Sequence, residues 1–185
     1  MRVIIQRVSR ASISFAQNPE KIVCSIGKGY VILVGIHTRD TECDIAELVP
    51  KILNIKLFSD ASGNHTGLEE KSNQKSRWKR SIIDEEGEIV LASQFTLYAI
   101  AGKKGRAPDF HNAMNADDAK ILFEKFAHEC KKAYGADKIF TGVFQEHTLI
   151  SLTNDGPVTI TIESTSYLKE AGALLNCFLA FYVLI

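Results

Sequence analysis

The chain has 185 residues, 45% of them hydrophobic and 24% charged, with 22 basic and 22 acidic side chains and a formal net charge of zero. Such a chain buries a real core in one domain and is not disordered, and its charge balance excludes a global pull toward nucleic acid, so any RNA contact belongs to a local basic patch. Cysteines at 24, 43, 130 and 177 form no C-x-x-C pair, which argues against a zinc ribbon or a disulfide framework and for free thiols in a reducing compartment.

The opening "MRVIIQRVSR" carries arginines where a secretory signal has its apolar stretch, so a cytoplasmic protein is expected. Residues 2–15 alternate loosely and predict one long strand or two short ones. "AQNPEK" reads as a turn, and "IVCSI" and "YVILVGI" as strands joined by a hairpin at Gly27-Lys28-Gly29. A helix follows, capped by Asp40 or Thr41, with Ile45, Leu48, Val49, Ile52 and Leu53 on one face. Pro50 lies inside that pattern and should kink the helix or end it at Val49.

"NIKLF" returns to strand alternation, and residues 59–80 read as a polar loop. "GEIVLASQFTLYA" is a strong strand and "AGKKGRAPDFHNAM" a second loop. Asn115 caps the helix "ADDAKILFEKFAHECKKAY", which Gly135 closes. "KIFTGVF", "TLISLT" and "VTITIE" complete a sheet. With no βαβ rhythm and no G-x-G-x-x-G, the expected fold is α+β rather than doubly wound.

Two domains' worth of sequence are not present: residues 1–166 form the expected domain, and 167–185 a tail, almost wholly apolar from Ala171 onward. The tail is shorter than the roughly 20 residues of a spanning helix. A packed or accessory helix, a tail anchor and a terminus unrelated to the domain are its three readings.

The histidines at 37, 65, 111, 128 and 147 make no H-E-x-x-H or H-x-x-x-H pair, and no G-x-S-x-G elbow occurs. Ser93 and Thr96 are strand hydroxyls without a neighbouring base, with Ser93 and Phe95 expected on one face and Gln94 and Thr96 on the other. Basic residues gather at Lys71, Lys75, Arg77, Lys79 and Arg80 around Trp78, and again at Lys103, Lys104 and Arg106. Charge runs are ordinarily solvated loops, but a tryptophan among cations also suits a stacking platform beside phosphates.

The segments "MRVIIQRVSRAS", "KILNIKLF", "SQFTLY", "KKGRAPDF" and "NDGPVTI", in that order, resemble those of the D-aminoacyl-tRNA deacylases over Met1 to about Ser164. The resemblance implies a homodimer on a β-barrel-like fold with no metal and no cofactor, hydrolysing the ester of D-aminoacyl-tRNA. It implies that the Gly156-Pro157 bond is cis and that the pair enters the partner subunit's active site, braced by Arg7. Backbone there would reject L-residues by a clash at the α-carbon, leaving glycyl-tRNA cleaved as well.

Catalysis would rest on main-chain N–H around Gln94 and Phe95, within the stretch Ser93, Gln94, Phe95 and Thr96, and on the 2′-hydroxyl of the terminal adenosine. Trp78, Lys103, Lys104 and Arg106 are the corresponding tRNA-binding candidates. One stretch departs from the family pattern Phe-Gly-Ala-x-Met: here Phe144-Gln145-Glu146-His147-Thr148 stands in its place, so His147 or Thr148 would line the adenosine pocket. That departure motivates one alternative, a catalytically silent RNA-binding protein; a second is a deacylase whose Gly156-Pro157 bond is trans and which accepts small L-residues.

Overall fold

The computed structural model describes residues 1–60, 78–102 and 105–165. His65, Lys71, Lys75, Arg77, Lys103, Lys104, Cys177 and the apolar tail lie outside the described residues. Strand β1 (Arg2–Phe15) is the single long strand that its alternation allows, and it organises the sheet. Along one edge it pairs antiparallel with β6 (Thr148–Glu163). Its other edge carries two strands end to end, β2 (Asn18–Ile26) on Ala11–Phe15 and β3 (Gly29–Gly35) on Arg2–Val8, both antiparallel.

β2 and β3 therefore run in one direction, and the expected hairpin at Gly27-Lys28-Gly29 is replaced by a break between collinear strands. β1 is long enough to accept both, so the chain continues instead of turning back. The turn before β2 is also shorter than "AQNPEK", since Asn18 already pairs with Phe15. Pro19 is tolerated in β2 because an exposed edge asks no donor of it.

β4 (Glu88–Ser93) lies parallel to β3, and β5 (Ile139–Thr141) parallel to β4. Parallel neighbours need crossovers, which α1 (Glu42–Asn54) and α2 (Ala116–Tyr134) supply. Two βαβ connections thus exist where the sequence showed no such rhythm. The long segment between α1 and β4 hides the first of them, and "NIKLF" forms no strand, only an isolated bridge from Phe58 to Arg80. The result is an α+β fold, a mixed, barrel-like, nearly closed sheet with two helices.

Residue alternation divides the core. Val3, Ile5, Tyr30, Ile32, Val34, Ile89 and Leu91 pack with both helices, while Val8, Ile13, Val31, Val90 and Ala92 form a second cluster without helical residues. In α1, Thr41 and Asp44 form a reciprocal capping box. Pro50 does not end the helix, which runs on to Asn54. Ile52 and Leu53 beyond it are buried, and Asn54 Nδ2 donates to the Pro50 carbonyl at 2.9 Å, so burial outweighs the one bond that proline removes. α2 keeps its expected bounds, with the Asn115 side chain accepting from Asp118 N–H at 3.1 Å and Gly135 at its end.

A buried polar knot ties the ends of the sheet to α1. The Met1 α-ammonium donates to Asp40 Oδ1 and to Ser164 Oγ, each at 2.5 Å, and Ser164 Oγ donates to Asp44 Oδ1 at 2.6 Å. Among the described residues no helix is long and apolar enough to cross a membrane.

Candidate active site

β4 does not continue through "SQFTLY". It stops at Ser93, Gln94 takes a non-helical conformation, and Phe95–Tyr98 wind into a single 3-10 turn. The turn packs on β3 at Gly35, where an added Cβ would lie 2.9 Å from Leu97 Cβ. Only glycine permits so close an approach.

Breaking the strand breaks its alternation. Ser93, Gln94 and Phe95 all line one cavity, whereas Thr96 is outside it, exposed, and accepts a hydrogen bond from Gln94 Nε2. Gln94 N–H is committed to the Val34 carbonyl at 2.8 Å, so it is not an available oxyanion donor as the sequence suggested. The amides of Phe95 and Thr96 open the 3-10 turn, where a helix has no carbonyl to offer them.

The cavity holds about 430 Å³ and is completed by Val34 and Ile36 at the end of β3, by Phe110, Ala113 and Met114 before α2, by Ala116 and Ala119 within it, and by Phe144 and Gln145. A volume of this size takes a small organic ligand. None of these lining side chains is ionisable. Phe95 and Phe110 meet edge to face, their ring centroids 5.0 Å apart. His37 stands behind the wall, edge-on to Tyr98, and burial lowers its pKa from the ordinary value, which keeps the imidazole neutral at pH 7.

In the divergent stretch, Phe144 and Gln145 line the cavity while His147 and Thr148 do not. The His147 carbonyl instead accepts from Ala16 N–H at 2.9 Å, and Thr148 opens β6. Gln145 has φ of 62°, a left-handed conformation that a glycine would hold without strain.

Gly156 and Pro157 lie within β6, which is one strand rather than the two expected. The ladder matches Gln6 to Thr159 and Val8 to Asn154, so Asp155–Val158 bulge outward opposite Arg7 alone. A bulge on a sheet edge accommodates a residue with no N–H. The Gly156–Pro157 peptide is cis, and Gly156 has φ of 123°. A Cβ on Gly156 would come within 2.8 Å of Val158 Cγ2 and 3.2 Å of Arg7 Nη2.

Arg7 underpins the bulge: its Nε donates to the Asp155 carbonyl at 3.1 Å and pairs with the Asp155 carboxylate at 3.1 Å. It also donates to the Leu57 carbonyl. Both Gly156 and Pro157 are exposed, and neither lines the cavity. The structure thus brings Ser93, Gln94 and Phe95 together in one place and Arg7, Gly156 and Pro157 in another. Sequence reasoning missed Phe110, Met114 and Ala116, whose apolar character gave no chemical signal.

The family model described as D-Tyr-tRNA(Tyr) deacylase matches residues 4–163. A D-aminoacyl-tRNA deacylase of Candida glabrata is 44% identical over 165 residues, covering 89% of this chain and 99% of its own. The D-aminoacyl-tRNA deacylase 1 of Homo sapiens is 36% identical over 164 residues, covering 89% and 70%. The solved structure of a c-Myc DNA unwinding element binding protein superposes with a TM-score of 0.75 at 35% identity, over 89% of this chain and 99% of that one. A probable eukaryotic D-amino acid tRNA deacylase shares the fold at a TM-score of 0.69 and 21% identity, over 88% and 98%.

Proposed function

The chain belongs to the D-Tyr-tRNA(Tyr) deacylase family and is a D-aminoacyl-tRNA deacylase, an ester hydrolase; from that premise we propose that its cavity takes the 3′-terminal aminoacyl-adenosine and hydrolyses the ester without a side-chain acid or base. The observation that carries this reading is the lining itself, twelve residues with no ionisable group among them. Aromatic walls suit a nucleobase. Water adds to the ester carbonyl carbon, and the amides of Phe95 and Thr96 receive the oxyanion. The intermediate then expels the ribose 3′-oxygen, which takes up the proton that the added water loses, and the free amino acid leaves. The substrate's own 2′-hydroxyl orients the water.

Chiral selection falls to Gly156 and Pro157 acting in the cavity of a second subunit. Support comes from their placement: they project on a braced, exposed bulge and are absent from the lining of their own chain's cavity. Main chain pressed against the substrate's α-carbon leaves room for hydrogen on that side, so an L side chain clashes and glycine passes.

The test is deacylation of D-tyrosyl-, L-tyrosyl- and glycyl-tRNA in EDTA, with enzyme far below substrate, alongside sedimentation. Loss of the D-tyrosyl and glycyl esters with the L-tyrosyl ester spared, by a dimer, is the expected outcome. A folded dimer that spares all three overturns the catalytic reading, and cleavage of the L-ester overturns the selection mechanism.

A further inference from the structure

Two patches that suit nucleic acid lie at different places on one subunit. Arg106 belongs to the loop closed by the Ile100–Asp109 bridge, next to the cavity wall at Phe110. Trp78 and Lys79 lie with the Gly156–Pro157 bulge instead. Lys79 N–H and Arg80 N–H both donate to the Phe58 carbonyl, at 2.8 and 3.1 Å. The Arg7 guanidinium, which holds Asp155, sits 5.6 Å from the Phe58 ring. Phe58 therefore links the tryptophan segment to the bulge.

Trp78 itself is 51% exposed, with φ of 60°. A tryptophan half in water, followed by a backbone bonded to Phe58 through Lys79 and Arg80, offers a large flat surface to a ligand. Lys28 and Arg80 in the same region are engaged by Glu85, while Trp78 and Lys79 are both exposed.

We propose that Trp78 of one subunit stacks on an unpaired nucleotide of the tRNA 3′ end whose terminal aminoacyl-adenosine occupies the other subunit's cavity, with Lys79 beside the phosphates. This rests on the proposed cross-subunit action of Gly156–Pro157. Whatever carries that bulge to a neighbour's cavity carries Trp78 with it. The tRNA tail is then gripped between Arg106 of the subunit that holds it and Trp78 of the subunit that inspects it. Single-stranded RNA favours such a surface, because every base has a face to stack and the sequence is not read.

Trp78→Ala is expected to raise KM for D-tyrosyl-tRNA about tenfold or more, the loss of one base stack, with kcat changed less than twofold. Trp78→Phe recovers most of the loss, and the effect shrinks on D-tyrosyl-adenosine, which has no further nucleotide to stack. Equal effects on both substrates, or conversion of Trp78→Ala to monomer, would show a structural or subunit-contact role and overturn the inference.

The trans arrangement is tested in mixed dimers with one cavity filled by Ala116→Trp, or by Ala113→Trp if the first leaves the homodimer active. With Trp78→Ala on the filled subunit the open cavity loses its platform and KM rises; with Trp78→Ala on the open subunit KM stays low. The reverse pattern overturns the inference alone. Absence of D-tyrosyl-tRNA hydrolysis by the unaltered protein, or its sedimentation as a monomer, overturns the inference together with the reading beneath it.

Discussion

Thr96 is the residue whose role changes most between motif and structure. In a strand its hydroxyl would have faced the same way as Gln94; in the 3-10 turn it is exposed and accepts from Gln94 Nε2. If the oxyanion is held by main chain, Thr96→Ala keeps activity within about threefold, because loss of an oxyanion donor costs about 10²–10³ in kcat and the Thr96 side chain is not one. Single-turnover deacylation of D-tyrosyl-tRNA measures this, and a folded dimeric Thr96→Ala protein without turnover would sink the main-chain account. Ser93, Gln94 and Phe95 were legible as candidates because "SQFTLY" resembles the family's motif, and all three line the cavity. That Gln94 N–H is spent on Val34 was not legible, since it depends on where β3 lies.

Elements were read well where the period is long and both ends are signalled. α2 has an Asn cap, acids in its first turn, lysines in its last and a closing glycine. Short signals misled. Gly27-Lys28-Gly29 punctuates a hairpin and a collinear break equally well, and Gly156-Pro157 looks like a turn leading into a new strand although β6 passes through it as a bulge. Pro50 was overruled by buried neighbours.

α1 carries a further test. Glu47 accepts from Lys51 and from Thr165 N–H and Oγ1, and these bonds, that from Lys51 foremost, pull its pKa down from 4.5 to about 2. A depressed carboxylate pKa stabilises the fold above the unfolded value, and the gain is lost as pH falls from about 4.5 through about 2. Glu47→Gln should therefore cost about 1 kcal/mol at pH 7, a figure reduced by Lys51's exposure to solvent. Urea titrations across that range should show the gap closing. A gap that is constant with pH would mean that Glu47 acts by packing.

On the scale of the whole molecule, the cavity draws on four separate stretches, 34–36, 93–95, 110–119 and 144–145. No local pattern announces that these will meet, because parallel pairing of β3, β4 and β5 brings them together only after both crossovers are made. The sequence division at residue 166 yields a last test. Ser164 Oγ donates to Asp44 Oδ1 and Thr165 Oγ1 to Glu47 Oε1, which ties the chain to α1 just ahead of that division. A chain ending at Ser166 should keep its cooperative unfolding, with Tm within about 4 °C of the full chain, a shift equivalent to no more than ~1–2 kcal/mol. A larger fall would place the apolar tail in the fold.

The non-ionisable lining of the cavity also bears on how such a site endures under mutation. A catalyst that depends on one histidine or one carboxylate is lost with one codon. On the main-chain mechanism proposed above, the reagents are peptide groups, present whatever the side chain, and their positions are held by shape. Gln145 holds a left-handed conformation that glycine takes without strain, and it stands where the family resemblance implies a glycine. On that mechanism, a side-chain substitution around the pocket matters chiefly when it bends the main chain itself.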